Sequence, residues 1–317
     1  MANRFDIHPE LVQGLNRLDV SETLNLRRAL EHVRAQTYDK KYPEFKGRSF
    51  VPVDNSVPTG AASVAFDNYV SVGEAAITSD YGTEAPTVGA SSDSASQLIR
   101  GIQTKYSFSL QELRAASHAG SELPTRKANY ARRAIEQVHD TVLLLGDTTW
   151  GLTGLFLLSG TNTYTVPSGA AGSQAWANKT SDEVLVDLNG IVNRGINQTN
   201  GVEVPDTIGM PATALQYIKS TRMGDGIDGT IYDFFMKTNT HITSIIDSIK
   251  LESNAGWTGR RMLAYKKSAD ALAGVIPQEF EQLAPQHSGF MSTTFCHSRT
   301  GGVQLFLPLS VTYGDQI

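Results

Sequence analysis

Residues 124–146 read Pro124-Thr-Arg-Lys-Ala-Asn-Tyr-Ala-Arg-Arg-Ala-Ile-Glu-Gln-Val-His-Asp-Thr-Val-Leu-Leu-Leu-Gly146, and this stretch decides the fold. Proline suits the first helical turn, where its missing N–H has no intrahelical partner to lose. Ala131, Ala134, Ile135, Val138, Val142 and Leu145 recur at intervals of three and four, which predicts one apolar stripe. Arg132, Arg133, Glu136, Gln137 and Asp140 fall between them and are expected to face away. Gly146 supplies the left-handed stop that a residue with a Cβ adopts only at a cost. A helix of this length is roughly 33 Å long, about the width of a small domain. With no charge in its stripe, it reads as a scaffold.

Upstream, Ser109 with Glu112 three residues later predicts a capping box and a helix that ends at Gly120. Before that, Ala62–Val72 alternates like a strand, and Ser94–Phe108 resumes extended character beyond the turn residues Tyr81–Pro86. Together they predict a long hairpin, which needs something to lie on because an isolated hairpin is barely stable in water. Phe50–Val53 reads as a short edge strand. Further upstream, residues 1–48 read as an arm, with a helix capped by Ser21 and running from Glu22 to about Gln36. The basic run Lys40, Lys41, Lys46 and Arg48 reads as a solvated face.

Downstream, Trp150-Gly-Leu-Thr-Gly-Leu155 is expected to seal the base of the long helix. The Ser/Gly/Ala/Thr-rich residues 159–179 read as a connector. A second lobe then alternates helix and strand signals. Helices are expected from Ser181 to Gly195, from Pro211, and over Thr230–Lys237; strands over Thr207–Met210, Ile242–Leu251 and Arg261–Tyr265. Phe290–Val311 predicts a strand pair around Arg299-Thr-Gly-Gly302, with Val303, Leu305 and Leu307 on one face. The class is α+β, without internal repeats.

Composition narrows the function. The chain has 317 residues, a net charge of −5 and one cysteine. The acidic balance argues against a dedicated nucleic-acid binder, and the lone Cys296 excludes an intrachain disulfide or a multi-cysteine metal site. Met1–Glu10 has no apolar h-region and no apolar run approaches 18 residues, so neither a signal peptide nor a membrane span is expected. Gly224-Asp-Gly-Ile-Asp-Gly229 matches the dinucleotide fingerprint in letters only. It follows the polar Lys219–Arg222 rather than a buried strand, and its two aspartates would repel a pyrophosphate. Cys296 and His297 are adjacent on an expected strand and point to opposite faces, so they form no dyad, with His287 nearby. His118 and His139 lie on expected helices without a ligand partner. No catalytic, cofactor-binding or metal residue is assigned, and the chain is not read as an enzyme.

Three stretches carry a resemblance. They are Glu112-Leu113 through Lys127-Ala128, followed by the long helix and Trp150–Leu155; Val275-Ile-Pro-Gln-Glu-Phe280-Glu-Gln-Leu-Ala-Pro285-Gln286; and Arg299-Thr-Gly-Gly-Val303 through Pro308-Leu-Ser-Val-Thr-Tyr313. In their order and spacing they resemble the major capsid proteins of tailed phages, a fold shared with encapsulins. The likeness covers most of the chain from about residue 50 onward. It implies an N-terminal arm (1–48), an extended β-hairpin loop (49–100), a peripheral domain (101–179 and 288–317) built on a spine helix (124–145), and an axial domain (180–287). It further implies self-assembly as pentamers and hexamers into an icosahedral shell around double-stranded DNA. Expected partners are scaffolding, portal and decoration proteins, with weak non-specific contacts to the DNA and none to a membrane. The expected location is the virion, assembled in the host cytoplasm. The alternatives are an encapsulin-type shell enclosing cargo enzymes and an unrecognised α/β enzyme.

Overall fold

The computed structural model describes residues 43–75, 77, 86–118, 123–224 and 228–317. The chain divides into two units, Met1–Glu44 and Phe45–Ile317. The first unit, with the expected Glu22–Gln36 helix and Lys40 and Lys41, lies almost wholly outside the described residues.

In chain order, a helical turn Gly47–Phe50 leads to strand β1 (Val53–Asp54), so only the end of the expected Phe50–Val53 strand pairs in a sheet. Strands β2 (Ser63–Val72) and β3 (Gly89–Leu98) pair with each other, and β4 (Arg100–Ser109) follows after one residue. Helices Leu110–His118 and Leu123–Leu144 come next. Strands β5 (Gly146–Asp147), β6 (Leu152–Thr153) and β7 (Asn162–Thr165) precede helix Ser181–Gln198. Strand β8 (Thr207–Met210), helices Ala212–Ser220 and Ile231–Thr238, and β9 (Ser244–Asp247) complete the next stretch. The remainder is β10 (Arg261–Tyr265), β11 (Leu272–Val275), β12 (Gln278–Gln282), β13 (Gln286–Ser288), β14 (Met291–Thr300), β15 (Gly302–Leu305) and β16 (Val311–Asp315).

A five-stranded mixed sheet, β7-β16-β10-β8-β9, forms the centre of one core. All five residues of β10 are buried because both faces of the sheet are covered. Met262 and Ala264 meet a helical layer through Val184, Leu188, Ile191, Ile218 and Phe235. Leu263 and Tyr265 turn the other way, onto Phe50, Leu143, Leu144, Leu155 and Phe156. The phenol of Tyr265 donates to the carbonyl of Phe50 at 2.7 Å, so its buried hydroxyl is satisfied. The helix beginning at Ser181 is capped by the preceding residue, Thr180, in a capping box with Glu183, and it runs three residues past Gly195.

A second sheet, β12-β14-β13 with β4 along β14, carries the long helix on one face. The register of β4 with β14 is unbroken from Arg100↔Thr300 to Ser109↔Met291. Even-numbered side chains of β4 face the helix, so Ile102 and Tyr106 pack with Ala131, Ile135 and Cys296. The Ser109–Glu112 capping box forms as expected, both bonds at 3.0 Å.

Several expectations are corrected by this packing. The second extended run is two strands rather than one: β3 belongs to the hairpin and β4 to the body. Residues 159–179 are not a bare connector, because β7 pairs in parallel with β16 in the central sheet. Residues 242–251 give β9 and then a 3₁₀ turn, Ile249–Leu251. Arg299–Gly302 does not close a hairpin: β14 pairs with β4, β12 and β13, whereas β15 pairs with β11. Gly302, at φ +74°, carries the chain between the two sheets, and a Cβ there would lie 2.6 Å from the Thr153 carbonyl oxygen. Leu307 is more exposed than Val303 and Leu305.

The long helix ends one residue earlier than expected, with Gly146 at φ +75° beyond it. Its buried stripe is rotated. Ala131, Ile135, His139, Asp140, Val142, Leu143 and Leu144 are buried, while Ala134 and Val138 are exposed. Asp140 was expected to face away. It is drawn inward because it accepts from Gly47 N–H at 2.6 Å and from Lys250 Nζ at 2.6 Å. This pair of bonds pins the segment entering the body to the long helix.

Candidate assembly surfaces

The β2–β3 hairpin is the most exposed regular structure in the described chain. Its register runs from Ser63↔Leu98 to Val72↔Gly89, ten residues a side, or about 34 Å of extended backbone. Neither strand pairs with any other strand among the described residues. Two-stranded ribbons of this length are marginal alone, and both edges offer unpaired backbone groups to another chain.

The half nearest the body is anchored. Phe66 packs edge-on against Phe306 with ring centroids 4.8 Å apart. Asn68 donates to the Phe306 carbonyl at 3.3 Å, and Gln304 to the Val64 carbonyl at 3.4 Å. Arg299 donates to the carbonyls of Thr59 and Ala61, and Gln97 to the Thr153 hydroxyl at 2.8 Å. Beyond Asn68 no such tie occurs among the described residues. Tyr69 is 75% exposed and Val72 is 56% exposed, with Val88 exposed beside them. Tyr69, Val72 and Val88 together make an exposed apolar group at that end of the hairpin.

A second apolar surface lies at the far end of the β4–β14 sheet. Phe108, Leu110, Leu113, Phe290 and Met291 line a cavity of about 200 Å³, and Phe290 is 80% exposed. A third, of about 280 Å³, is lined by Ile102, Val138, Val142 and Leu152, with Arg100 lying 5.7 Å from the ring centre of the exposed Trp150.

The residues singled out for chemistry do not converge. Cys296 is buried against Ala131 and Ile135, which pushes its thiol up. His297, on the opposite face, sits 3.8 Å from Glu281, and His287 is exposed on β13. His118 ends its helix exposed. Gly224–Gly229 lies between helices Ala212–Ser220 and Ile231–Thr238, not after a strand, and residues 225–227 are outside the described ones. Among the described residues, no group of three metal-ligating side chains occurs and no helix is long and apolar enough to cross a membrane.

The basic run is partly spent on ion pairs, so it is not simply a solvated face. Arg48 clamps both carboxylate oxygens of Glu279, at 2.8 and 2.7 Å, and holds that carboxyl below its usual range. Lys46 reaches Asp247 at 2.7 Å.

Buried polar side chains are what the apolar pattern missed. Lys179 and Asp187 form an ion pair at 2.5 Å with both side chains 1% exposed. Trp176 Nε1 donates to the same carboxylate oxygen at 3.0 Å, and Lys179 donates to the Pro167 carbonyl at 2.7 Å. Burial pushes Asp187 up, while Lys179 and Trp176 pull it back. His139 meets Ser298 Oγ at 2.6 Å, and Ser298 donates its one proton to the Gln278 carbonyl. His139 Nε2–H is therefore the donor to Ser298, and Nδ1 is left bare and unpartnered. Burial, with the positive charge of Arg48 nearby, pushes this imidazole down to about 4. These groups tie elements together.

Exposed apolar surfaces are thus the distinctive feature of the described residues. A search of curated protein sequences finds no match. Among solved structures, the chain is similar to the capsid of Myoviridae phage XM1, at 18% identity over 90% of this chain and 96% of that one, with a TM-score of 0.77. It is also similar to a chain from Mycobacterium phage Adephagia (13% identity, 92% and 97% covered, TM-score 0.62). A third is the capsid of a native GTA particle (12% identity, 90% and 95% covered, TM-score 0.60). At these identities the likeness establishes the fold, and it is the capsid fold that the sequence resembled. A family model described as major capsid protein matches residues 73–317. The chain belongs to the major capsid protein family.

Proposed function

We propose that this capsid protein is the repeating unit of a tailed-phage shell, closing as pentamers and hexamers into an icosahedral particle around double-stranded DNA. The observation that carries this reading is the hairpin. Among the described residues its outer half makes no tie to the rest of the subunit, and Tyr69 and Val72 are exposed there, which supports a neighbouring copy as their cover. A contact in which one surface meets a different surface on the next copy closes rings when the rotation allows, and shells when rings join. The role is structural, and the place is the virion, assembled in the host cytoplasm.

The working parts are an arm (1–48), an extended loop (49–100), a peripheral domain (101–179 and 288–317) and an axial domain (180–287). Strands β7 and β16 stitch the last two together in the central sheet. The Gly- and Ser-rich joints at 54–60 and 167–173 supply small hinge adjustments between copies in different environments, whereas 89–96, equally rich in small residues, is held in strand β3. Scaffolding, portal and decoration proteins are the expected partners, and contacts to DNA are weak and non-specific.

The test is light scattering and negative-stain microscopy of the purified protein, with and without co-expressed scaffolding protein. Closed particles, or a ladder of five- and six-fold rings, are expected. A monomer that stays monodisperse at high concentration under both conditions would overturn the reading. Nuclease-protected double-stranded DNA in particles from infected cells separates a genome shell from a cargo compartment.

A further inference from the structure

Residues 45–49, through which residues 1–44 join the body, are fastened by charged groups. Lys46 reaches Asp247 at 2.7 Å, and Arg48 holds both oxygens of Glu279 and one of Glu136, the latter at 3.4 Å. Gly47 N–H donates to Asp140, whose other oxygen takes Lys250, and Lys267 donates to the Ser49 carbonyl. Arg133 lies 4.8 Å from the ring centre of Phe45. The turn sits so close to the long helix that a Cβ on Gly47 would lie 3.1 Å from the Asp140 Cα. Its far end is held differently: Phe50 is fully buried, and its carbonyl accepts from Tyr265.

His139 is buried among these groups, three residues after Glu136 and one before Asp140 on the long helix. Its bond to Ser298 continues to the carbonyl of Gln278, the residue before Glu279. The imidazole is therefore tied to the same strand, β12, that Arg48 clamps from the other side. Its Nδ1 is buried without a hydrogen-bond partner. A proton arriving there would make a buried cation with no acceptor, in the field of the Arg48 guanidinium. The charged groups around it are Arg48 from the turn, Glu279 from β12, and Glu136 and Asp140 from its own helix, with Lys250 on Asp140. Strand β14 contributes the neutral Ser298, and β4 brings Ile102 and Tyr106 to the helix.

We propose that residues 45–49 form an acid-operated latch: with His139 neutral, the Arg48–Glu279 clamp is closed on the long helix, and a proton on Nδ1 of His139 opens it while Phe50 stays anchored. The imidazolium repels the guanidinium, and its buried charge is relieved when the turn lifts and admits water. Arg48 has room to leave, because it borders an open cleft of about 480 Å³ with Arg132, Glu136 and Phe280. His139 protonates at about 4 when closed and at about 6.5 once wetted, so opening is favoured as pH falls between those values and is independent of pH above them. Glu279, held below the usual carboxylate range by Arg48, keeps its charge over that window, so the imidazole sets the change. The latch acts within one copy and does not depend on the shell reading.

The experiment is hydrogen exchange of the full, unassembled chain as a function of pH. The reporters are the amides of Gly47, Ser49, Phe50 and Val51, which donate to Asp140, Lys46, Lys46 and Gly47 respectively. Corrected for the intrinsic pH dependence of exchange, opening at these amides is expected to rise on the order of a hundredfold between pH 7 and pH 4, while β10 stays protected. His139→Gln, which keeps a donor for Ser298 and cannot take the proton, is expected to abolish the rise. Glu279→Gln covers the case in which the buried replacement misfolds, and is expected to speed exchange at the same amides by about tenfold at pH 7. Four results overturn the latch: no rise in the wild type, a rise in step with β10, a rise that persists in His139→Gln, or unchanged exchange at pH 7 in Glu279→Gln. Each leaves the shell reading standing, because assembly does not enter the measurement. A chain that shows the latch yet never assembles overturns the shell reading alone.

Discussion

Strands β10 and β3 are both regular antiparallel strands, yet they live in opposite environments. All five residues of β10 are buried between a helical layer and the base of the long helix, whereas the first eight residues of β3 are exposed. The sequences explain the contrast. Arg-Met-Leu-Ala-Tyr presents apolar side chains to both faces, while Gly-Ala-Ser-Ser-Asp-Ser-Ala-Ser presents nothing that gains from burial. One strand is specified by the subunit around it. The other has its register set by β2 and its stability left to whatever lies outside. A single chain thus holds one strand buried on both faces and one left exposed along most of its length.

The contrast can be broken first inside the body. Lys179→Ala leaves Asp187 buried without its cation, and should lower the unfolding free energy of the unassembled subunit by about 3–5 kcal/mol; chemical denaturation measures it. A small effect would mean that the body is less closed than its burial implies.

Acid is the next lever. His139 has a folded value of about 4, against about 6.5 unfolded, so the unfolded chain binds the extra proton between those values. Stability conferred by the neutral imidazole is complete above about pH 6.5, falls as pH drops, and is lost below about 4. The total is on the order of 3 kcal/mol. In His139→Gln the pH dependence of the denaturation midpoint should flatten over this window while the rest of the curve keeps its shape.

At the anchored half of the hairpin the effect should be smaller. Phe66→Ala removes the edge-on ring contact with Phe306, worth about 0.5–1.5 kcal/mol beyond area. Hydrogen exchange should speed up at residues 63–68 and not in β10. Equal acceleration in both would merge the two regions into one cooperative unit. In the unsupported half, Tyr69→Ser should change the stability of the free subunit by less than about 0.5 kcal/mol. It should nevertheless reduce the yield of particles by microscopy. A stability loss without an assembly loss would move Tyr69 from the interface into the fold.

Much of the body was legible because it follows period and punctuation. Thr207–Met210 and Arg261–Tyr265 are strands at the expected limits, and Ser109 with Glu112 caps its helix as two letters three apart suggest. The failures share one cause: partners far away in sequence. Nothing local says that Asp140 will meet Gly47 and Lys250, or that His139 will meet Ser298. Nor does the turn-like Arg299–Gly302 reveal that its flanking strands belong to different sheets. The candidate surface was half legible. Small residues and alternation gave the hairpin, but where β3 ends and β4 begins depends on which strand is available to pair. The capsid resemblance was legible from the order of segments, since strings of a few residues each carry little alone.

The position of β16 sets a schedule for synthesis. It lies between β7 and β10, pairing in parallel with the first and antiparallel with the second. The central sheet therefore cannot close until residues 311–315 have been made, 149 residues after Asn162. At ordinary ribosomal speeds that is a wait of roughly 7–30 s, during which β7 has no neighbour in the sheet. A nascent chain, or one cut short before residue 311, lacks the strand that joins its two halves. With β7 unpaired and the centre of the sheet open, such a chain would be an easy substrate for a protease.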